Sequence, residues 1–154
     1  MHGMIDGFPR ADQVVVLGYL RSGAMTAPGL GIKAAGSADA LAAAFSYAIN
    51  GKLGSKAAQA TLSLAGLGTV AAGATKTAFL TITTNGTVSV VGVTADGDGE
   101  TEIPEPDDGA CLWGAVTVAN ASTSEFVAGT TALDATNITV TYASLFGAVP
   151  GDTL

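Results

Sequence analysis

Acidic side chains alternate with small residues in segment 95–109, which is the part of the chain richest in groups that could bind a metal ion. The segment holds seven of the thirteen acidic residues. Carboxylate oxygens are hard ligands of the kind that calcium prefers, but the Asp-x-Asp-x-Asp-Gly order and distal Glu of an EF-hand loop are absent. We interpret the segment as a solvated acidic turn, and keep Asp96, Asp98 and Glu100 as candidate calcium ligands.

The usual nucleophiles and bases lack partners. His2 is the only histidine, so a Ser-His-Asp triad could be built only at the chain start. Cys111 is the only cysteine, which excludes an internal disulfide, and no Cys/His spacing suggests zinc; we expect a small buried hydrophobe. The acidic segment could supply a carboxylate pair for glycoside hydrolysis, but aromatic residues to line a sugar cleft are few, and Trp113 is expected in the core. The sequence predicts no enzyme and no cofactor.

Composition narrows the range of partners. Charged residues make up 12% of the chain, about half the usual share. The net charge of −7 gives no basic footprint, which excludes nucleic acid and anionic membrane surfaces as partners. With 48% hydrophobic residues, part of the surface is expected to be buried against copies of the chain or a larger assembly. A soluble monomer covered by Thr, Ser and Gly is the alternative.

No membrane span or signal peptide is predicted. The longest apolar runs, 14–20 and 40–44, are far shorter than the roughly 18 residues that a spanning helix needs. Arg21 follows the first run at once, and Asp6 and Asp12 precede it, which does not fit a secretory signal. Synthesis without a signal peptide, in a host cytoplasm, is therefore expected.

The elements that would position these groups are strands. Asn50-Gly51 and Asn85-Gly86 each lie between alternating apolar and polar residues, and each pair favours a two-residue type I′ hairpin turn. Residues 34–48 are rich in Ala and could form a helical turn, but alternation at Phe45, Tyr47 and Ile49 favours a strand over about 43–49. Further strands are predicted at 60–64, 76–84, 87–94, 110–120 and 137–142. The fold class is all-β: an antiparallel β-sandwich or jelly-roll-like domain with about eight strands.

The first 36 residues of the chain differ from the rest in composition. Residues 1–36 contain Pro9, Pro28 and several glycines, interrupted by one strand-like run at 13–20. We predict an extended N-terminal arm at 1–36, a β-rich domain at 37–149 and a C-terminal tail at 150–154. The run 14–20 could equally be the first strand of the domain's own sheet. The arm supplies the candidate partner-binding residues: Phe8, Arg10, Val14, Val16, Tyr19 and Arg21.

From Phe45 onward, an ordered set of motifs resembles small structural proteins of tailed-phage virions, of the head decoration or head fibre type. The motifs are the Asn-Gly-Lys hairpin at 50–52, the Thr-Asn-Gly-Thr-Val hairpin at 84–88, Ile-Pro-x-Pro at 103–106 and Phe-x-x-Gly-Thr-Thr-x-Leu-Asp at 126–134. The last is the most specific, and resembles a loop that crosses the β domain. The resemblance covers roughly two-thirds of the chain and leaves out residues 1–36.

What this resemblance implies is a non-enzymatic capsid decoration, or cement, protein. It would be a homotrimeric β knob on the outer capsid surface of the virion, with the major capsid protein as its partner and the arm on capsid subunits or a neighbouring protomer. The main alternative is a tail- or fibre-associated adhesin that binds host glycan. A calcium-dependent or hydrolytic module and an unrelated soluble monomer also stay open.

Overall fold

The computed structural model describes residues 22–95 and 99–145. These residues form an all-β fold of antiparallel strands with a single 3₁₀ turn at Ala65–Leu67. In chain order the strands are β1 (Gly23–Ala24), β2 (Gly31–Ile32), β3 (Ala40–Ala42), β4 (Phe45–Ile49), β5 (Lys52–Lys56), β6 (Gln59–Leu62), β7 (Thr69–Val70), β8 (Thr75–Thr83), β9 (Val88–Thr94), β10 (Ala110–Asn120), β11 (Phe126–Val127) and β12 (Ile138–Ser144).

The strands build a sandwich with one large sheet and a layer of small ones. The large sheet has the order β12-β10-β8-β9. The small sheets have the orders β1-β4-β5, β2-β3-β6 and β11-β7. More strands are present than sequence alternation predicts, because β1, β2, β7 and β11 have two residues each. A pair of residues is too short to show an alternating pattern.

The main core lies between the two layers and contains residues from all four sheets. Trp113 of β10 is fully buried there and stacks on Phe45 of β4, with ring centroids 4.6 Å apart. Register with β8 shifts between Leu112 and Gly114, so a β-bulge leaves Trp113 without a partner on β8. Because of the bulge, Trp113 and Val116 both point into the main core although they are three residues apart, while Leu112 and Ala115 lie on the opposite face of the sheet. The sequence-based expectation of a core Trp113 is confirmed.

The first Asn-Gly turn is as predicted. Ile49 pairs with Lys52 across the two turn residues. Asn50 and Gly51 both have positive φ, at 51° and 78°, as a type I′ turn requires.

The second Asn-Gly turn differs from the prediction. Gly86 has positive φ at 76°, but Asn85 does not. Gly86 N donates to Thr83 O at 2.9 Å, and Thr83 N donates to Thr87 O at 3.0 Å. These bonds define a three-residue loop, in which a type I turn is followed by a left-handed glycine. The glycine alone takes the strained position, so the asparagine keeps an ordinary conformation.

The strand predicted over about 43–49 is confirmed as β4, which begins at Phe45. The preceding strand β3 ends at Ala42, and between the two strands Ala43 N donates to Pro28 O. The segment 22–36, which composition places in the arm, pairs with the domain through β1 on β4 and β2 on β3. An arm that is separate from the sheets can therefore extend no further than residue 21. Within the described part of the chain, no helix could cross a membrane.

Candidate interaction surface

The residues that the sequence singled out fall mostly outside the described ranges. All six candidate partner-binding residues lie within 1–21, and Asp96 and Asp98 lie within 96–98. Glu100 is described and is exposed. Over 22–95 and 99–145, no group of three or more His, Cys, Asp or Glu side chains is placed to hold a metal ion. The calcium site and the arm contacts stay predictions.

The later part of the acidic segment contacts the large sheet. Residues 99–109, here called the acidic strap, cross the outer face of the large sheet on the way from β9 to β10. Ile103 is buried in a second, smaller core with Phe79, Leu112 and other apolar residues of that face. Its five acidic residues, Glu100, Glu102, Glu105, Asp107 and Asp108, are all exposed.

A buried threonine pair fixes the strap where it meets the sheet. Thr77 Oγ1 of β8 donates to Thr101 Oγ1 at 3.3 Å and also shares a hydrogen bond of 2.9 Å with Thr117 Oγ1 of β10. Thr77 and Thr101 are almost completely inaccessible to solvent. The sequence signal for this attachment is the alternation of Thr101 and Ile103 with Glu100 and Glu102, because the first two side chains are buried and the last two are exposed.

Cys111 and Trp113 do not form a reactive site. Cys111 is buried, and this burial raises the pKa of its thiol to about 11, so the thiol stays protonated at neutral pH. The indole Nε1 of Trp113 has no hydrogen-bond partner among the described residues, and the ring is enclosed by the main core. Both residues have the packing roles that the sequence predicted.

Segment 126–134 runs across the domain and joins three parts of it. Ala128 N donates to Gly68 O at 3.1 Å, and Leu133 N donates to Ser37 O at 2.8 Å. The carboxylate of Asp134 accepts from Gly36 N with both oxygens, at 3.0 and 2.9 Å. The segment therefore connects distant loops of the domain, and the carboxylate of Asp134 fixes the backbone at Gly36.

Two exposed apolar side chains, Leu53 and Met25, lie on the opposite side of the sandwich from the strap. Leu53 is 76% exposed and Met25 is 48% exposed. Leu53 pairs with Ala48, two residues along β4 from Ser46, and Met25 N donates to Ser46 O at 2.8 Å. Directly paired residues share a face in antiparallel sheets, so these side chains point the same way. We call this surface the Leu53 face: Met25, Ser46, Leu53 and Ser55.

The Leu53 face and the acidic strap lie on opposite outer surfaces. Phe45 and Tyr47 alternate with Ser46 and point inward, where Phe45 meets Trp113. Ile103 packs on the other side of the large sheet, against Phe79. The two sides therefore differ in charge. The strap side carries five carboxylates together with the exposed Val91, and the other side carries the exposed Leu53 and Met25.

Comparisons with protein-family models, curated proteins and solved structures found no match to this chain. Function must therefore be argued from the difference in charge between the two sides and from the motifs of the sequence.

Proposed function

We propose that this chain is a non-enzymatic decoration protein that binds the outside of an assembled phage head and stabilises it. The supporting observation is the difference in charge between the two sides of the sandwich. A decoration protein needs one side that is apolar enough to lie against the shell and one side that remains hydrated. The Leu53 face meets the first need and the acidic strap meets the second.

The chemistry of the Leu53 face suits a contact surface. None of its four residues carries a charge, and interface centres are depleted in charged residues. The opposite side presents five carboxylates, which keep copies from sticking together through their outer surfaces. Low overall charge, at 12%, is consistent with a chain that gives part of its surface to a partner.

The mechanism is mechanical and multivalent. An oligomer that touches several capsid subunits gains avidity, because each later contact is effectively intramolecular. Since the protein binds only the assembled shell, binding shifts the equilibrium away from disassembly. The major capsid protein is the partner, and the residues within 1–21 would add contacts beside the domain.

Copy number tests the proposal directly. Phage particles produced from the genome that encodes this chain would be purified, and the chain quantified by mass spectrometry against the major capsid protein. A ratio of one to one, or one to a small integer, is expected. A handful of copies per particle would instead place the protein on the tail or a fibre, and absence from particles would overturn the virion assignment.

A pair of matched variants tests which side binds. Leu53→Asp adds a charge to the Leu53 face, whereas Val91→Asp adds the same charge at a 46% exposed valine on the strap side. Capsid binding should weaken in the first variant and persist in the second. Equal binding by both variants, with both folded by circular dichroism, would contradict the orientation.

The proposed role of the N-terminal arm in capsid binding can be tested by a truncation that keeps all strands of the domain. Removing residues 1–21 spares β1 and β2, which pair within the domain, whereas a longer cut would remove them. If capsid binding survives this truncation unchanged, the arm does not hold the shell.

A further inference from the structure

In the part of the chain that the structure describes, three strands of five or more residues lie at the edges of their sheets: β5, β9 and β12. An open edge presents unpaired N–H and C=O groups to any other strand, and proteins usually block it with lysines or a covering segment. Strand β5 carries Lys52 and Lys56 at its two ends. Two copies paired through β5 in full register would place these like charges opposite each other, which is unfavourable.

Strand β9 is covered by the 3₁₀ turn. A Cβ added at Gly66 would lie 2.5 Å from Val90 O, and one added at Gly92 would lie 2.7 Å from Leu67 O. The turn and the strand therefore approach at backbone contact distance, which is the reason for glycine at both positions. No further strand can pair along this part of β9.

Strand β12 has no lysine, and no segment within 22–95 or 99–145 covers its edge. Its sequence, Ile-Thr-Val-Thr-Tyr-Ala-Ser, contains no charged residue and no proline. Two backbone hydrogen bonds lie just beyond the two ends of β12 and continue its pairing with β10. Leu145 N donates to Trp113 O at 3.3 Å, and Ala121 N donates to Asn137 O at 2.9 Å. Because bonding alternates along an antiparallel pair, residues 139, 141 and 143 bond to β10.

The intervening residues Val140, Tyr142 and Ser144 therefore direct their backbone groups away from the sheet. No residue in the described ranges bonds to these groups. Val140 and Tyr142 are also only half buried, although both pack on the main core. The core thus ends at this edge with apolar side chains partly open to solvent.

We propose that β12 pairs antiparallel with β12 of a second copy, which joins the two large sheets into one eight-stranded sheet. A twofold axis at Thr141 pairs the whole strand, with Ile138 opposite Ser144. Val140 then faces Tyr142 of the second copy, an aromatic and β-branched pair of the type that stabilises sheets. No charged side chains lie opposite each other in this pairing of the two β12 strands. The inference goes beyond the proposed function and does not depend on it.

A cross-link tests the register. Thr141 would face its own copy at a non-hydrogen-bonded site, where Cα atoms are about 4.5 Å apart and within reach of a disulfide. Thr141→Cys should therefore give a covalent dimer on mild oxidation. Ser89→Cys, on the covered strand β9, is the matched control and should not. Wild type, with only the buried Cys111, should also stay uncross-linked.

Lysine variants test the pairing of β12 with a second copy without a cross-link. In analytical ultracentrifugation at high protein concentration, wild type and Ser89→Lys should sediment as even-numbered assemblies, and Thr141→Lys should be reduced to half that size. Both sites are exposed, so both variants should fold, and circular dichroism checks this. Thr139→Lys serves as the second edge variant if Thr141→Lys does not fold.

Three results would overturn the proposal: a monomeric wild type, a trimer that Thr141→Lys leaves intact, or no cross-link from Thr141→Cys in an associated protein. If removing residues 1–21 abolishes association and no Thr141→Cys cross-link forms, the occupant of the edge is the N-terminal segment of another copy.

Discussion

Asn120 shows how one buried amide can hold two loops. Its Nδ2 donates to Val70 O, Ala71 O and Ser124 O at 2.8–3.2 Å, while its Oδ1 accepts from Ser122 N and Oγ. The side chain is almost completely inaccessible to solvent. Such a residue fixes the geometry at the end of β10, because one side chain binds backbone groups of both loops.

Asn120→Ala is expected to destabilise the fold by about 2–3 kcal/mol, because it removes several hydrogen bonds of one buried side chain at once. Urea denaturation would measure the free energy of unfolding. Ser122→Ala is the control, because it keeps all three bonds from the Asn120 amide. A loss from Ser122→Ala as large as that from Asn120→Ala would show that the amide is not the central group.

Because Cys111 is buried, we expect the protein to lose stability at alkaline pH. Burial raises the pKa of the folded thiol from 9.0 to about 11. Above pH 9 the unfolded chain releases the thiol proton while the folded chain retains it, so this contribution to stability is complete below pH 9 and declines towards pH 11. The free energy of unfolding should therefore fall across this window.

Cys111→Ala should remove that part of the decline. Tyr142 also has a raised pKa, caused first by burial and then by the nearby charge of Asp134, and it acts in the same direction. Tyr142→Phe separates the two contributions. An identical pH profile for wild type and Cys111→Ala, measured by urea denaturation at each pH, would be inconsistent with a buried, protonated thiol.

Among the elements, the acidic strap is held by few groups. Ile103→Ala should lower the free energy of unfolding by about 2–4 kcal/mol, because the small second core would lose its strap residue. Glu105→Ala, at an exposed position two residues away, should change it by less than about 0.5 kcal/mol. Thermal and urea denaturation of both variants would measure the difference. A similar effect of the two substitutions would mean that the strap is not anchored at Ile103.

The asparagines of the two Asn-Gly turns should deamidate at different rates. In deamidation, the glycine nitrogen loses its proton to solvent base, attacks the asparagine Cγ and expels ammonia; water then opens the succinimide to aspartate or isoaspartate. Gly86 N is occupied by its hydrogen bond to Thr83 O, whereas Gly51 N has no partner within the described residues. Asn50 should therefore convert before Asn85.

Peptide mapping by mass spectrometry after incubation at mildly alkaline pH would follow both sites. Asn85→Ser removes the slower site and should leave the rate at Asn50 unchanged. Faster conversion at Asn85 in the folded protein would contradict the assignment of the two turns.

Local chemistry made some elements predictable and left others out. Both hairpins follow from Asn-Gly pairs between alternating strands, and this signal needs no distant partner. The bulge at Trp113 and the two-residue strands β7 and β11 exist only through contacts with residues far along the chain. The type I′ prediction for the second turn is wrong, because only Gly86 has a positive φ there, whereas a type I′ turn needs two such residues.

The candidate surface was only partly visible in the sequence. Leu53 lies opposite Ala48, out of phase with Phe45, Tyr47 and Ile49, so alternation alone could have placed it outside. The contrast between the Leu53 face and the acidic strap could not be predicted, because it depends on which side of the large sheet each small element covers.

At the scale of the molecule, one core connects all four sheets, so the domain should unfold as a unit. The chain has one tryptophan, and Trp113 fluorescence therefore reports on the centre of that core. Its urea transition should coincide with the loss of strand signal in far-ultraviolet circular dichroism. Separate midpoints would reveal a small sheet that unfolds on its own.

The bond from Lys56 Nζ to Gly86 O, at 2.7 Å, makes the two hairpins unequal as places to add foreign sequence. The second turn is held from outside by this lysine, and a guest peptide there would displace it. The first turn has an exposed tip at Asn50-Gly51, away from that contact. A peptide epitope grafted between Asn50 and Gly51 would therefore be displayed on an intact scaffold, with the Lys56 contact still in place.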